Sequence, residues 1–594
     1  MSHEEEVLGK AYDSRLMKRL LGYLWPYTHY ATAALLAIFL NAALQLAQPY
    51  LIKVAIDTYI AKGDLGGVSR IAVWFFLVLA GGFALEYLQT WLMNMIGQRI
   101  MFDMRMQMYE HLQRLDLRDY DKNPVGRLMT RVTSDIDVLN DLFSSGIVAA
   151  FGDVFMLTGI MIVLLTMDWR LSLIAFSVLP LIVLITEWFR VHVRESYRTV
   201  RTLIARINAF LQENITGMAT VQLFRREAVN LGRFDDINRQ HRDANINSVF
   251  YYALFYPAVE LIAALAAALI IWFGGGWVMA GTLTLGSLVA FLQYSQRFFR
   301  PISDMSEKFN LLQAAMASSE RIFALLDTPV TVQSPAAPKK LEAVQGHIKF
   351  ENVWFAYKDD TFVLRDVSFD VKPGERIGVV GATGAGKSTV INLLLRFYDV
   401  TRGRITIDGV DIREMSLTDV RGLFGLVLQD VYLFTGTIAS NVRLGNERIT
   451  DEDVRRAVKA VHADRFIDRL PLGLDAPVAE RGATLSVGQK QLLSFARALA
   501  FDPRVLVLDE ATSSVDTETE LLIRDALRVL MAGRTTIAIA HRLSTIQDMD
   551  KILVFHKGEL RESGNHQELL ARRGIYYRLY QLQYKDQETA PTTA

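Results

Sequence analysis

The segment Gly381-Ala382-Thr383-Gly384-Ala385-Gly386-Lys387-Ser388 follows an apolar, strand-like run, Arg376 to Val380, and leads into a helix-compatible stretch from Thr389 to Phe397. Glycines at this spacing let backbone N–H groups converge on a phosphate, and the following helix adds the positive end of its dipole. Lys387 is suited to neutralise the β- and γ-phosphates of a nucleotide, Ser388 to place a hydroxyl on Mg2+, and Thr389 closes the binding stretch. A second apolar run, Val505-Leu506-Val507-Leu508, delivers two carboxylates to its end. Asp509 is expected to hold Mg2+, directly or through water, and Glu510 to polarise an attacking water. Alone, that run also admits a plain strand ending in two solvated acids. Beside a phosphate loop it points to hydrolysis of a nucleoside triphosphate. Between the two lies Leu485-Ser486-Val487-Gly488-Gln489, opening a helix-compatible segment that runs to Ala500. A Ser-x-Gly turn at a helix start is an anion site suited to a γ-phosphate, although the pentapeptide by itself is a weak signal.

These residues need a scaffold. At 594 residues the chain is too long for one compact domain. Half of it is hydrophobic, yet 22% is charged, which suggests a membrane part joined to a water-soluble part. A bilayer core about 30 Å thick needs about 20 apolar helical residues. Six runs approach that length, at residues 31–52, 71–95, 147–167, 171–189, 252–279 and 285–299, the last being the least marked. Ahead of them Leu16, Met17, Leu20, Leu21 and Leu24 recur at helical spacing among Arg15, Lys18 and Arg19, so residues 13–25 are expected to form an amphipathic elbow helix on the membrane surface. Short connections follow the first, third and fifth runs. The second and fourth are followed by long, Arg-rich stretches, including Arg99, Arg105 and Arg114, then Arg190, Arg194 and Arg198. Lys and Arg gather on the cytoplasmic side, which places these stretches and both termini inside. The spans are therefore expected to continue as cytoplasmic stalks that bend near Leu117 to Pro124 and Gly217 to Phe224. After the sixth run the helix continues to about residue 326, and Pro329, Pro335 and Pro338 mark a linker over 328–345. The soluble domain is expected over 346–584, with a flexible tail to 594.

Composition removes several classes of chemistry. There is no cysteine, hence no disulfide, thiolate metal site or cysteine nucleophile. Formal net charge is zero and no local basic patch stands out, so no nucleic-acid partner is expected. The segment from Met1 to Arg15 is acidic and polar, unlike a cleaved leader.

The signature pentapeptide between the two carboxylate and phosphate elements resembles the ATP-binding cassette family, and further matches follow along nearly the whole chain. Tyr357 lies where that family stacks an aromatic ring on adenine. Gln429, in Leu426-Val427-Leu428-Gln429, matches the glutamine that touches Mg2+ and the attacking water. Ser513-Ser514-Val515-Asp516 matches a loop that crosses to the partner cassette, and His541 a histidine that contacts the γ-phosphate. Glu480-Arg481-Gly482 resembles the segment that touches the membrane domain's cytoplasmic loops in exporters.

The resemblance implies a fold: an α-helical membrane domain of exporter type with long cytoplasmic extensions, joined to an α/β P-loop nucleotide-binding domain with an antiparallel β subdomain and a helical subdomain. It implies ATP and Mg2+ as cofactors, with Glu510, His541 and Gln429 catalytic. Tyr357, Gly381 to Thr389, Ser486, Gly488, Gln489 and Asp516 hold the nucleotide, and Ser388, Gln429 and Asp509 the metal. In that family each ATP lies between one subunit's phosphate loop and the other's signature, so a chain with a single set must dimerise in the bilayer. Valine at 487, where glycine is commonest, adds a branched side chain that restricts the backbone. With the intact Glu510, this resembles the second subunit of bacterial heterodimeric multidrug exporters, which puts a heterodimer ahead of a homodimer and the plasma membrane as its location.

The reading this supports is ATP-driven export of small hydrophobic or amphipathic compounds, drugs or lipids. Peptide export and siderophore import use the same architecture, and an ATP-gated channel or regulator is a rival of another class. Glu86, Asp153 and Glu260, with Asn41, Gln45 and Gln293, lie inside apolar runs. They either line a substrate cavity or form interhelical contacts, and Phe250, Tyr251, Tyr252 and Phe255 either line it too or face lipid.

Overall fold

The computed structural model describes residues 13–358, 361–509, 517–539 and 546–588. Glu510, the segment Ser513 to Asp516 and His541 lie outside the described residues. The chain divides into two compact units, one of residues 1–113 and 125–328, the other of residues 114–124 and 329–594.

The first unit is helical. α1 (Ser14–Gly22) starts on Asp13, whose carboxylate accepts from Arg15 N at 2.8 Å. It falls within the stretch 13–25 where an elbow helix is expected, and it is tied down by polar contacts. Arg19 forms a two-pronged pair with Asp327, both bonds 2.7 Å, and its guanidinium lies 4.1 Å from the centre of the Phe323 ring. α2 (Thr28–Val54) is followed by a π turn at Ala55–Ile60, and α3 (Leu65–Arg114) runs unbroken for 50 residues. The stalk predicted beyond the second apolar run is thus one helix with its span. Helix α4 (Leu117–Lys122) belongs to the second unit. Then come α5 (Val125–Val132), α6 (Ser134–Asp141), α7 (Ile147–Met167), α8 (Trp169–Phe176), α9 (Leu179–Thr216), α10 (Met218–Leu223), α11 (Glu227–Leu269), α12 (Gly275–Met279) and α13 (Leu285–Leu326). The short helices α4 and α10 occupy the two expected bends.

Among the described residues, four stretches meet a length and hydropathy criterion for crossing a membrane: Trp25–Ile60, Leu65–Arg114, Trp169–Thr216 and Glu227–Met279. Phe151–Met167 is a shorter apolar helix. The sixth expected run begins α13, whose side chains from 299 to 307 lie outside the described residues. The fourth run is not one helix, because α8 ends at Phe176 and α9 restarts at Leu179 with Pro180 in its first turn, where a proline lacks nothing. Trp74, Phe76 and Phe83 on α3 are exposed, as expected of side chains that meet lipid.

Interhelical polar contacts hold this unit as well as packing does. Asp57, in the π turn, accepts from Gly286 N at 2.8 Å and from the Thr284 hydroxyl at 2.6 Å, capping the start of α13. A Cβ at Gly286 would lie 2.6 Å from Lys53 O, so only glycine permits this approach. Asp153 on α7 is paired with Lys308 on α13, which makes it an interhelical contact, whereas Glu86 and Glu260 are exposed in this chain. Of the aromatics, Phe255 is buried and stacked on Phe189 at 4.0 Å, while Phe250 is exposed.

Besides a short antiparallel pair, β7 (Gly436–Thr437) with β8 (Pro477–Val478), the second unit contains two main sheets. One is antiparallel, ordered β2-β1-β4-β5, with β1 at Ile348–Ala356, β2 at Phe362–Val371, β4 at Arg402–Ile407 and β5 at Val410–Asp411. The other is ordered β12-β11-β3-β10-β9-β6 and is parallel except for its edge strand β12 (Glu559–Gly564). Its other members are β3 (Arg376–Gly381), β6 (Phe424–Val427), β9 (Val505–Asp509), β10 (Thr535–Ile539) and β11 (Lys551–His556). The strands β3, β9 and β10 read as near-continuous apolar runs because helices cover both faces of a parallel sheet. Residues 114–124 are fastened to this unit by hydrogen bonds. The Asp116 carboxylate accepts from Thr331 N at 2.8 Å and Val332 N at 3.1 Å, and Asp121 from the Tyr398 hydroxyl at 2.6 Å.

Candidate nucleotide site

β3 lies inside the parallel sheet between β11 and β10, and its Ile377, Val379 and Val380 are buried. The chain leaves its end through 382–386 and re-enters as the helix Lys387–Leu394. Three glycines make this turn possible for different reasons. Gly384 and Gly386 have φ of 80° and 99°, conformations that a side chain disfavours. Gly381 is needed for space, since a Cβ there would meet Phe555 O at 2.4 Å. The resulting turn exposes residues 382–384, while Ala385 is buried beneath it.

Lys387 is 8% exposed and donates from Nζ to Gly381 O at 2.7 Å and to Ala382 O at 3.1 Å. The ammonium is therefore folded over the loop that precedes it. Burial lowers its pKa, and the negative charge of Asp509 opposes that shift. Asp509 thus lies close enough for its field to be felt at Lys387, although β10 separates their strands. Ser388 is exposed in the first turn of the helix. Gln429 is exposed just beyond β6, which pairs with β9 so that Val427 faces Leu508. The ends of β3, β9 and β6 consequently present Lys387, Ser388, Asp509 and Gln429 from one edge of one sheet. A lysine ammonium, a free hydroxyl, one carboxylate and one amide suit a polyphosphate with a magnesium ion, which is usually held by one or two carboxylates together with phosphate oxygens.

Tyr357 lies beside the same helix. Its hydroxyl donates to Thr389 Oγ1 at 3.2 Å and accepts from Asn392 Nδ2 at 3.4 Å. Its ring meets Tyr398 edge-on, with centroids 5.2 Å apart. Tyr398 is a contact that sequence reasoning passed over. Burial first, and then the hydrogen bond to Asp121, push its phenol above the ordinary range. No local pattern marks such a residue, because Asp121 is 277 positions away.

The pentapeptide 485–489 opens the helix Val487–Ala500. Ser486 caps it, its hydroxyl accepting from Gln489 N at 3.2 Å while Gln489 Oε1 accepts from Ser486 N at 3.0 Å. The two bonds form a reciprocal cap that leaves the Ser486 hydroxyl its own proton to donate, whereas Gly488 is buried and Val487 is 56% exposed. The valine therefore projects from the front of the helix start. In Glu480–Gly482 the turn carries Arg481 at φ 53° and Gly482 at φ 63°, and Lys490 Nζ donates to Arg481 O at 2.9 Å.

Two family models match, the ABC transporter transmembrane region over residues 32–302 and the ABC transporter over residues 364–513. The chain belongs to the ABC transporter family. Among its relatives, the fatty acid ABC transporter ATP-binding/permease protein of Mycobacterium bovis is 40% identical over 87% of this chain and 82% of its own length. The probable multidrug resistance ABC transporter ATP-binding/permease protein YheH of Bacillus subtilis is 40% identical over 84% and 74%. A solved bacterial Atm1-family ABC exporter with ATP bound superposes with a TM-score of 0.76 at 31% identity, covering 96% of this chain and 99% of that one. This ABC transporter is thus an exporter-type half-transporter, a membrane-embedded helical domain fused to an ATPase cassette whose hydrolysis is coupled to transport. ABC exporters of this type work as dimers.

Proposed function

We propose that the chain exports small hydrophobic or amphipathic compounds, drugs or lipids, across the bacterial plasma membrane by alternating access. The observation that carries this reading is the joining, in one chain, of a phosphate loop with a sheet-edge carboxylate to a helical unit whose long faces are apolar. Relatives named for multidrug resistance and for fatty acids support the compound class. Both termini lie on the cytoplasmic side, as the Arg-rich stalks require.

Each ATP lies between the phosphate loop of one subunit and the signature of the other. Lys387 and the N–H groups of 382–386 hold the phosphates, Tyr357 stacks on adenine, and Ser486, Gly488 and Gln489 close over the γ-phosphate from the partner side, with Asp516 at the crossing loop. Ser388, Asp509 and Gln429 would hold Mg2+, which shields the charge of the phosphate chain when bound. Glu510 polarises the attacking water and His541 contacts the γ-phosphate. Closure of the two cassettes is transmitted through the turns at 117–124 and 217–224. The projecting Val487 weakens the site to which this signature contributes, which favours a heterodimer with unequal sites.

The test is vectorial transport. Sealed vesicles carrying the purified dimer should accumulate a hydrophobic dye only with ATP present. ATP hydrolysis that dye stimulates without any accumulation would instead favour an ATP-gated channel or regulator.

A further inference from the structure

Arg297 lies on α13 twelve residues from Leu285, about 18 Å along the helix at 1.5 Å per residue, which with a sixth apolar run over 285–299 places it within a hydrocarbon core about 30 Å thick. A cation at that depth is costly, and such residues almost always face the bundle interior or a wet cavity. What surrounds it is specific. Pro49, inside α2, has no N–H, so the carbonyl of Gln45 four residues earlier loses its donor in the helix ladder. Arg297 Nη1 donates to that carbonyl at 2.6 Å, and Nη2 donates to Gln48 Oε1 at 2.6 Å. One turn earlier on α13, the buried Tyr294 donates to Leu46 O at 2.5 Å.

The guanidinium is therefore fixed in orientation by α2, but both of its acceptors are neutral. Among the described residues no carboxylate pairs with it, in contrast to Lys308, which has Asp153. Arg297 carries five N–H donors and uses two of them here. Nε, which takes no part in these bonds, is not buried, so at least that donor opens onto accessible surface. An oriented, uncompensated guanidinium in a low-dielectric layer attracts an anion strongly, and its fork matches carboxylate, phosphate or sulfonate oxygens.

We propose that Arg297, held by Gln45 and Gln48 beneath the Pro49 break, is the binding site for the acidic headgroup of the transported compound, which is an anionic amphiphile. The inference rests on the exporter reading and narrows its substrate class. The polar groups of the seam, Asn41, Gln45 and Gln48, serve to aim the guanidinium. Asn41 Oδ1 accepts from Gln45 Nε2 at 3.4 Å, and the Gln45 backbone and Gln48 side chain then take the arginine.

The test is equilibrium binding, without nucleotide, to the purified transporter dimer in nanodiscs. The probes are a fluorescent hexadecyl chain ending in a sulfonate and the same chain ending in the neutral methyl sulfone. The wild type should bind the sulfonate about tenfold more tightly than the sulfone. Arg297→Gln should bring the two within about twofold of each other, whereas Arg297→Lys should retain most of the preference. A loss of packing alone weakens both probes together and leaves their ratio unchanged. The proposal is overturned if the wild type does not prefer the sulfonate, or if Arg297→Gln keeps the preference. It is also overturned if inorganic sulfate displaces the sulfonate probe at equal concentration, which would make this a small-anion site. Dissociation of the Arg297→Gln dimer with the ratio unchanged would assign the arginine to a carboxylate of the partner subunit. If Arg297→Gln does not fold, the wild-type and Arg297→Lys ratios decide. Failure of ATP-driven uptake of either probe, with the binding ratio intact, would count against the exporter reading and not against the site.

Discussion

At the scale of single residues, the phosphate loop depends on backbone clearance as much as on charge. A methyl group at Gly381 would press on the Phe555 carbonyl, a backbone atom that cannot swing away. Gly381→Ala is expected to lower ATP affinity at least about tenfold, because moving the start of the loop misaligns its N–H groups. Retention of normal affinity in a nucleotide-binding titration would mean that the sheet yields at that point. For Glu510 the expectation is a separation of binding from turnover. Glu510→Gln should bind ATP normally and lose steady-state hydrolysis by about two to four orders of magnitude, the usual contribution of a general base. Undiminished hydrolysis would remove Glu510 from the catalytic role.

Elements carry these residues to one sheet edge, and ion pairs between the elements tune how firmly they are held. Arg376 at the start of β3 pairs with Asp550 just before β11, its Nη2 2.7 Å from Oδ1, while Arg376 N donates to Asp550 Oδ2 at 2.9 Å. These bonds, chiefly the side-chain one, hold the Asp550 carboxyl below its usual range. A depressed carboxylate stabilises the fold at all pH values above the unfolded-chain pKa, and the contribution disappears as pH falls through the folded value. The window therefore lies below about pH 4. Both side chains are more than a third exposed, so solvent screening limits the pair to about 0.5 kcal/mol. Asp550→Asn should lower the thermal midpoint of the full chain slightly at neutral pH, and the difference should vanish as pH falls below about 4. A difference that persists in acid would assign the effect to packing.

The same scale shows why the turns near 117–124 and 217–224 were legible while their attachment was not. Asn123-Pro124 and Gly217 are local breakers, visible in any reading of the chain. That residues 114–124 cluster with the cassette rests on Asp116 meeting Thr331 and on Tyr398 meeting Asp121. Those pairs join positions more than two hundred residues apart, and an aspartate in a polar loop carries no mark of its partner.

For the whole molecule the open composition of the dimer becomes a measurable property. If the Val487-bearing signature serves a weakened site, the chain purified by itself should hydrolyse ATP slowly and assemble poorly. Co-purification with a second half-transporter that lacks the catalytic glutamate should restore substrate-stimulated turnover. A stable homodimer with strong, substrate-stimulated hydrolysis would overturn the heterodimer reading.

By itself, the sequence determined which chemistry was available and which parts of the chain would meet lipid. Phosphate binding needs a contiguous loop, strand and helix, and membrane insertion needs contiguous apolar length, so both are written in consecutive residues. Tertiary structure alone decided what the polar residues within the spans do. Asp153 finds Lys308, Asp57 caps α13 against Gly286, and Arg297 takes the carbonyl that Pro49 leaves without a donor. Arg297 sits inside the predicted sixth run, yet its meaning depends on a proline 248 positions earlier in another helix. The physical reason is the range of the interaction. A helix fixes its own hydrogen bonds within four residues, but the groups it leaves unsatisfied are matched only when another element packs against them.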